Sequence, residues 1–384
     1  MNVIYEEPSR WQRIRPVFTG FDPPLAVAIA LLACAGLVTM YSAGFDHGAR
    51  FSGHVRNMLL GLAVLFLVAQ VSPHRLMSLA VPLYTIGVGL LIATAVMGVT
   101  KKGATRWLNV GLIVQPSEIL KIAVPLLLAW WFQRREGHIR AVDYLVALLL
   151  LAVPVGLIVK QPDLGTAILV STAGLYVIFF AGLSWRLVIP VLAIGVIAAA
   201  ALVVSEGQIC QSDVKWPLLR DYQKNRVCTL LDPSTDPLGK GFHIIQGMIA
   251  IGSGGLSGKG YLKGTQTHLE FIPERTTDFI FAAFAEEFGL IGCAALLLGF
   301  TFLIIRGLMI AAEAPTLFTR LLAGAITLSF FTYAFVNMGM VSGVLPVVGI
   351  PLPFISYGGT AMVSLGLGLG ILMSIAKSRR LIQS

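Results

Sequence analysis

Long runs of hydrophobic residues dominate this chain, and short polar segments separate them. The runs lack the alternation with a period of two that the strands of a membrane barrel show. Helices are the other structure that satisfies its own backbone hydrogen bonds in lipid, and about 20 apolar residues suffice for one span. The pattern therefore predicts an all-α polytopic membrane protein with about ten transmembrane helices. The predicted spans lie near residues 24–44, 55–72, 76–99, 116–132, 142–159, 163–183, 187–204, 278–305, 321–345 and 358–376.

The composition agrees with this class. Hydrophobic residues make up 56% of the chain and charged residues 12%, whereas a soluble domain has about 25% charged residues. The polar start, residues 1–16, holds no apolar core of a cleavable signal peptide, so we expect the first span to remain as an anchor. The net charge of +9 lies along the edges of apolar runs, which argues against nucleic acid as a partner. One transmembrane domain over residues 1–384 is expected.

The positions of Lys and Arg predict the orientation, because cytoplasmic loops carry an excess of both. An even number of spans puts the N and C termini on one side, and that side holds Arg75, Arg140 and Arg320. Both termini are therefore predicted to be cytoplasmic. The large loop between spans seven and eight, residues 205–277, is then extracytoplasmic. Its Cys210 and Cys228 form either a disulfide or two free thiols, and both readings stay open here.

One carboxylate stands where this loop meets a long apolar run: Asp278, in the sequence FIPERTTDFIF. Charged residues at a membrane are costly and usually functional. Thr276 and Thr277 are good N-cap candidates, which places Asp278 in the first helical turn. There it can act as a general base towards a substrate hydroxyl. Glu286 and Glu287 are predicted about 12 Å deeper along the helix, as buried groups with partners on other helices.

Two further helices are predicted to begin with polar residues on the same side. Gln115 precedes a proline that suits the first helical position, and Glu118 and Lys121, three residues apart, can pair. In KQPDLGTA, Asp163 lies in a first turn, where the helix dipole favours it. Each start alone indicates capping and ion pairing. Because the two starts and Asp278 fall on one side, a polar cavity open to the outside is favoured.

Several of these segments resemble the SEDS family from the first span to the last. They are GATRWLNVG, QPSEILKIA, QPDLGTA, LLDPSTDPLGKGFHIIQ, AIGSGGLSGKGYLKGTQTHLEFIPERTTDFIFAAFAEEFGLIG and PLPFISYGGT. The resemblance implies a peptidoglycan glycosyltransferase of the bacterial inner membrane, with its active site facing the periplasm. Such an enzyme polymerises lipid II into glycan strands during cell elongation and so maintains rod shape. Asp278 is the implied catalytic residue. The implied substrate-binding residues are Glu118, Lys121, Arg56, Arg106, Asp163, Lys240, His243, Lys259 and Arg275.

The resemblance also implies partners and a cofactor. The partners are a class B penicillin-binding protein, which is a transpeptidase, and other membrane proteins of the elongation machinery. The diphosphate chemistry implies a divalent cation, Mg²⁺ or Mn²⁺, and no organic cofactor is expected. Two other functions stay open: a lipid II flippase, which predicts acids along a path through the membrane, and a non-catalytic scaffold of the elongation complex. The polar features gather at the outer face, which favours the enzyme.

Overall fold

The computed structural model describes residues 21–383 except 46–47, 102–103, 110–112, 212–213, 215, 217–220, 237–238 and 273. The polar start therefore lies outside the described residues. Ten helices of 17 residues or more occur in the described part of the chain. They are α1 (Pro23–Ala43), α2 (Gly48–Ala69), α4 (Ala80–Met97), α5 (Pro116–Gln133), α6 (Ala141–Lys160), α7 (Leu164–Phe180), α8 (Trp185–Val204), α13 (Ile280–Ala312), α14 (Leu317–Val341) and α15 (Gly359–Gln383). The shorter helices are α3 (Pro73–Ser78), α9 (Glu206–Ile209), α10 (Asp221–Leu231), α11 (Lys240–Ser253) and α12 (Thr265–His268).

The predicted all-α polytopic fold is confirmed. Eight helices of the described part are long and apolar enough to cross a membrane. The remaining two long helices also coincide with predicted spans: α7 has 17 residues, and α5 carries Glu118 and Lys121 near its start. The chain is therefore a multi-pass membrane protein.

The main difference from the prediction is a small antiparallel sheet before α5. Its strands are β1 (Val99–Lys101), β2 (Ala104–Asn109) and β3 (Ile113–Val114), in the order β1-β2-β3. Such short strands leave no recognisable alternation in the sequence. The sheet leads directly into α5 and presents Arg106, on β2, to the start of α7.

The helices α5, α14 and α15 form the interior of the bundle. In an apolar 18-residue stretch of α14, 78% is buried inside the protein, and in the corresponding stretch of α15 the share is 72%. Helix α14 packs on α13 and α7, α15 packs on α2, and α5 contacts α4, α7 and α14. Helix α8 differs, because none of its residues is buried. It is apolar on all sides, as expected for a helix that faces lipid.

Helix α13 is broken where the glycine-rich part of the large loop packs against it. Gly289 has φ 62°, and a Cβ there would lie 2.3 Å from the backbone nitrogen of Gly258. The backbone N–H of Lys259 donates to the carbonyl of Glu286 at 3.0 Å. The N–H of Leu290 donates to the carbonyl of Gly255, also at 3.0 Å. Residues 290–312 then extend about 35 Å, enough for the hydrocarbon core of a bilayer.

The packing of the loop on this helix defines the surroundings of Glu286 and Glu287. Both lie on α13 just before the break at Gly289, beside the glycine-rich part of the loop. Glu286 accepts from Lys259 Nζ at 2.7 Å and from the backbone N–H of Gln266 at 2.9 Å. Its partners therefore lie in the loop and on α12, which agrees with the predicted buried group with partners on another helix. Glu287 also has such a partner, because it accepts from Ser42 on α1.

A disulfide joins two parts of the large loop. Cys210 and Cys228 are bonded, with an S–S distance of 2.08 Å and a sequence separation of 18. This resolves the two readings of these cysteines in favour of the bridge. It joins the end of α9 to α10, and a short 3₁₀ helix (Pro233–Thr235) connects α10 to α11.

Candidate active site

Asp278 lies where two cavities adjoin. One, of about 310 Å³, reaches the start of α5 and is called the α5 cavity. The other, of about 380 Å³, reaches α10 and α11 and is called the α11 cavity. Five residues line both cavities: Arg106, Asp163, Glu274, Asp278 and Gly349. Asp278 can therefore contact molecules bound in either cavity.

The backbone around Asp278 is a turn, not the first turn of α13. The helix begins at Ile280, and its N-cap position, Phe279, makes no side-chain cap bond. The prediction that Thr276 and Thr277 cap the helix was wrong because both hydroxyls have other partners. Thr277 Oγ1 donates to Glu274 Oε2 at 2.6 Å, and Thr276 Oγ1 accepts from Arg50 Nη1 at 2.7 Å.

The segment that follows α14, residues 342–358, fixes this turn. Asn337 is fully buried, and its Nδ2 donates to the carbonyl of Asp278 at 3.0 Å and to that of Ile350 at 2.7 Å. Ser356 Oγ donates to the carbonyl of Thr277 at 2.7 Å. The catalytic candidate is thus held by buried side-chain bonds to its backbone, an arrangement that preorganises a site.

Gly349 brings this segment against the carboxylate of Asp278. Its φ is 77°, in the left-handed region that glycine adopts without strain. A Cβ at this position would lie 3.2 Å from Asp278 Oδ2. A glycine here therefore permits both the turn and the close approach of the backbone.

The α5 wall contains the predicted ion pair. Lys121 Nζ donates to Glu118 Oε1 at 2.6 Å, and both residues line the α5 cavity. Ser364 Oγ donates to Glu118 Oε2 at 2.8 Å, and Lys121 Nζ lies 5.5 Å from the ring centroid of Tyr333. The pair thus holds a nearly buried cation at the cavity wall.

Asp163 joins the two polar helix starts. It is the N-cap of α7, one position earlier than predicted, and accepts from the backbone N–H of Thr166 at 3.3 Å. Its Oδ2 accepts from Gln115 Nε2 at 2.8 Å, and its Oδ1 lies 3.5 Å from Arg106 Nη1. The starts of α5 and α7 therefore meet, as the expected polar cavity requires.

Two predicted substrate-binding cations do not line either cavity. Arg275 is buried, where its Nε donates to the carbonyl of Ala43 at 3.0 Å and its Nη2 lies 3.4 Å from Glu270. Lys259 pairs with Glu286. Both cations instead tie the large loop to α1 and α13.

Of the other predicted residues, His243 lines a cavity and Arg56 does not. His243, on α11, lines the α11 cavity, and its ring centroid lies 5.7 Å from that of Phe279. Arg56 is exposed on α2 and lines neither cavity. Lys240 begins α11, but its side chain lies outside the described part of the structure.

Sequence reasoning missed Glu274 and Arg226. Glu274 lines both cavities four residues before Asp278, and its place in FIPERTTD was the available signal. Arg226 lines the α11 cavity from α10, and no local pattern marks it. Among the described residues, no group of three or more His, Cys, Asp or Glu is placed to hold a metal ion.

Comparisons with known proteins show the family of this chain. The family FTSW_RODA_SPOVE, described as cell cycle protein, matches residues 24–381. The chain is 47% identical over 364 residues to peptidoglycan glycosyltransferase MrdB of Escherichia coli (strain K12), covering 94% of this chain and 95% of that protein. It is 33% identical to the probable peptidoglycan glycosyltransferase FtsW of Geobacter sulfurreducens (strain DL-1 / KN400), covering 93% and 95%.

Two solved structures share the fold. A chain in a peptidoglycan synthase complex that coordinates polymerization and crosslinking is 35% identical, with a TM-score of 0.76 and coverage of 94% and 98%. The crystal structure of the rod shape determining protein RodA of Thermus thermophilus is 29% identical, with a TM-score of 0.69 and the same coverage.

Proposed function

This chain belongs to the FTSW_RODA_SPOVE family of cell cycle proteins, and from that membership we infer that Asp278 is the catalytic base of its glycosyl transfer. The chain is a peptidoglycan glycosyltransferase that polymerises lipid II into glycan strands during cell elongation, maintaining rod shape. The observation that carries the assignment is the place of Asp278 between two cavities, each lined by cationic side chains.

The two cavities suit two lipid-linked diphosphates. Glycan polymerisation needs a growing strand on its carrier as donor and a lipid II molecule as acceptor. The α5 cavity offers Lys121 and Arg106, and the α11 cavity offers Arg106 and Arg226. Guanidinium and ammonium groups bind phosphate oxygens through charge-assisted hydrogen bonds. A base shared by both cavities can face the junction of donor and acceptor.

The reaction is an inverting transfer. Asp278 takes the proton of the 4-hydroxyl of the acceptor GlcNAc as that oxygen attacks the anomeric carbon of the donor MurNAc. The bond from that carbon to the diphosphate breaks, and undecaprenyl diphosphate leaves with the electron pair. Lys121 and Arg106 stabilise the charge on the leaving group.

A divalent cation fits the same place. Glu274 and Asp278 line both cavities, and Mg²⁺ typically binds through one or two carboxylates, substrate phosphates and waters. Glu274, together with the substrate phosphates and waters, would hold it, and it would offset the negative charge of a diphosphate when bound, while Asp278 serves as the base.

The surroundings of the enzyme are part of the proposal. The active site faces the periplasm, which the charge pattern of the loops supports. The Cys210–Cys228 disulfide supports it too, because disulfides persist in oxidising compartments. The partner is a class B penicillin-binding protein, a transpeptidase, together with other membrane proteins of the elongation machinery. The similarity to a chain of a peptidoglycan synthase complex supports this pairing.

Polymerisation of lipid II by the purified protein with its transpeptidase partner tests the assignment. Asp278→Ala should lower the rate by roughly 10²- to 10⁴-fold, the usual contribution of a general base. Glu136→Gln, which changes an exposed carboxylate beyond the other end of α5, is the matched control. Undiminished glycan synthesis by Asp278→Ala would refute the role of this residue. Lipid II translocation without polymerisation by the wild type would instead favour a flippase.

A further inference from the structure

We propose that the Cys210–Cys228 disulfide positions Arg226 at the α11 cavity as a binding residue for a substrate diphosphate. The proposal rests on the proposed function, because it names how the same site recognises its lipid-linked substrate. Cys228 and Arg226 are both on α10, two residues apart, and Arg226 lines the cavity with Asp278. The disulfide therefore acts close to the active site.

Arg226 lies between two ties that hold α10 to the preceding segment. On one side, the Nζ of Lys224 donates to the carbonyls of Gln211 and Val214, both at 2.6 Å. Lys224 is buried, so these bonds satisfy an ammonium that would be costly without them. On the other side, Cys228 is bonded to Cys210. The two ties restrict both translation and rotation of the short helix that carries Arg226.

The following segment holds α10 against α11. The 3₁₀ helix Pro233–Thr235 packs on the first turn of α11 so closely that a Cβ on Gly241 would lie 2.1 Å from the carbonyl oxygen of Pro233. Helix α11 in turn carries His243 to the cavity. Arg226 and His243 thus reach the same cavity from two helices whose relative position is fixed by close backbone packing.

The charges around the α11 cavity favour a second guanidinium for binding a diphosphate. Three carboxylates line the α11 cavity, those of Asp163, Glu274 and Asp278. Arg106 already pairs with Asp163 at 3.5 Å. Arg226 is the second arginine among the described residues that line this cavity and adds positive charge to a wall that also holds Glu274 and Asp278. A guanidinium also presents a planar pair of donors that matches phosphate oxygens, which favours substrate over an isolated water or ion.

The disulfide then couples substrate affinity to oxidation. Reduction would remove the covalent tie between α9 and α10, while the bonds of Lys224 to the carbonyls of Gln211 and Val214 remain. Arg226 would sample positions away from the cavity, and binding would weaken in proportion to the time spent there. The chemical step would be unaffected, because Asp278 is held by α14 and the segment after it.

Steady-state polymerisation of lipid II by the complex, at varied lipid II, tests the role of Arg226. Arg226→Gln should raise KM about tenfold, the effect of losing one charged hydrogen bond, with kcat changed less than about twofold. Arg226→Lys should recover part of the loss. Lys263→Gln, which removes an exposed cation from the same loop, should leave KM unchanged. An unchanged KM in Arg226→Gln, or an equal rise in Lys263→Gln, overturns the proposal.

Combining the cysteine substitutions with Arg226→Gln tests whether the disulfide positions Arg226. Cys210→Ser with Cys228→Ser should raise KM in the Arg226 enzyme and produce no further rise in the Arg226→Gln background, since interacting changes are non-additive. Independent, multiplying effects would overturn the positioning role. If the wild type fails to polymerise lipid II, the proposed function fails and binding of undecaprenyl diphosphate decides the inference. Weaker binding by Arg226→Gln supports it, and equal binding refutes it.

Discussion

Replacing Gly349 with Ala tests whether the approach of the segment after α14 positions the Asp278 carboxylate. The added methyl group would stand 3.2 Å from Asp278 Oδ2, so the carboxylate or the loop must yield by a few tenths of an ångström. Because Gly349 lines both cavities, the methyl also enters the space between the proposed donor and acceptor. Activity should therefore fall by more than stability alone explains.

The expected loss of stability and the expected loss of catalytic rate can be told apart by their sizes. The left-handed φ of 77° costs an alanine about 1–2 kcal/mol, which lowers stability but leaves folded molecules intact. A misplacement of about 1 Å costs about 10²-fold in rate. A shift of a few tenths of an ångström together with the methyl in the cavity should therefore lower kcat by roughly tenfold.

The chain supplies a matched control in the same segment. Gly343 has φ 73°, so Gly343→Ala should carry a similar backbone strain. Its Cβ would meet the Sδ of Met248 at 2.9 Å, the flexible end of a side chain that is 40% exposed and can move away. Both variants should lose similar thermal stability, and lipid II polymerisation per folded molecule should fall only in Gly349→Ala. Equal activity losses in the two variants would refute the reasoning.

Two further changes probe the support of the site. Asn337→Leu removes two hydrogen bonds, one to the buried carbonyl of Ile350 and one to the part-buried carbonyl of Asp278. We expect a destabilisation of about 1–3 kcal/mol, the cost of leaving the buried Ile350 carbonyl unsatisfied. The loss should appear as a lower thermal unfolding temperature and a lower kcat, and a stable, fully active variant would contradict it. Glu286→Gln weakens the tie to Lys259 and should lower the unfolding temperature with KM unchanged; a raised KM would place Glu286 in substrate binding.

The helical spans could be predicted because lipid imposes one requirement on every residue of a span, internal backbone hydrogen bonding. The pairing of Glu118 with Lys121 was equally local, since a helix places residues three apart on one face. The turn at Asp278 was not predictable in this way. Its threonines bind Glu274 and Arg50 rather than cap α13, and Arg50 comes from α2, far away in the sequence.

Charged residues in the large loop show the same limit. Lys259, Arg275 and Arg226 are all cations in one polar segment, and composition gives no reason to separate them. The structure separates them by their surroundings: Lys259 pairs with Glu286, Arg275 bonds the backbone of Ala43, and Arg226 reaches the α11 cavity. A cation that binds substrate and one that ties a loop differ only in long-range contacts.

The same reasoning explains why Asp278 and not Glu286 is suited to be the base. Glu286 is fully buried, and its oxygens accept from Lys259, Thr265, Gln266 and Thr267. A carboxylate saturated with donors has its charged form stabilised and is a poor proton acceptor. It also has no path to a substrate hydroxyl, which a base must reach within hydrogen-bond distance. Asn337 holds the backbone carbonyl of Asp278, and Asp278 lines both cavities, so accessibility to substrate selects the base.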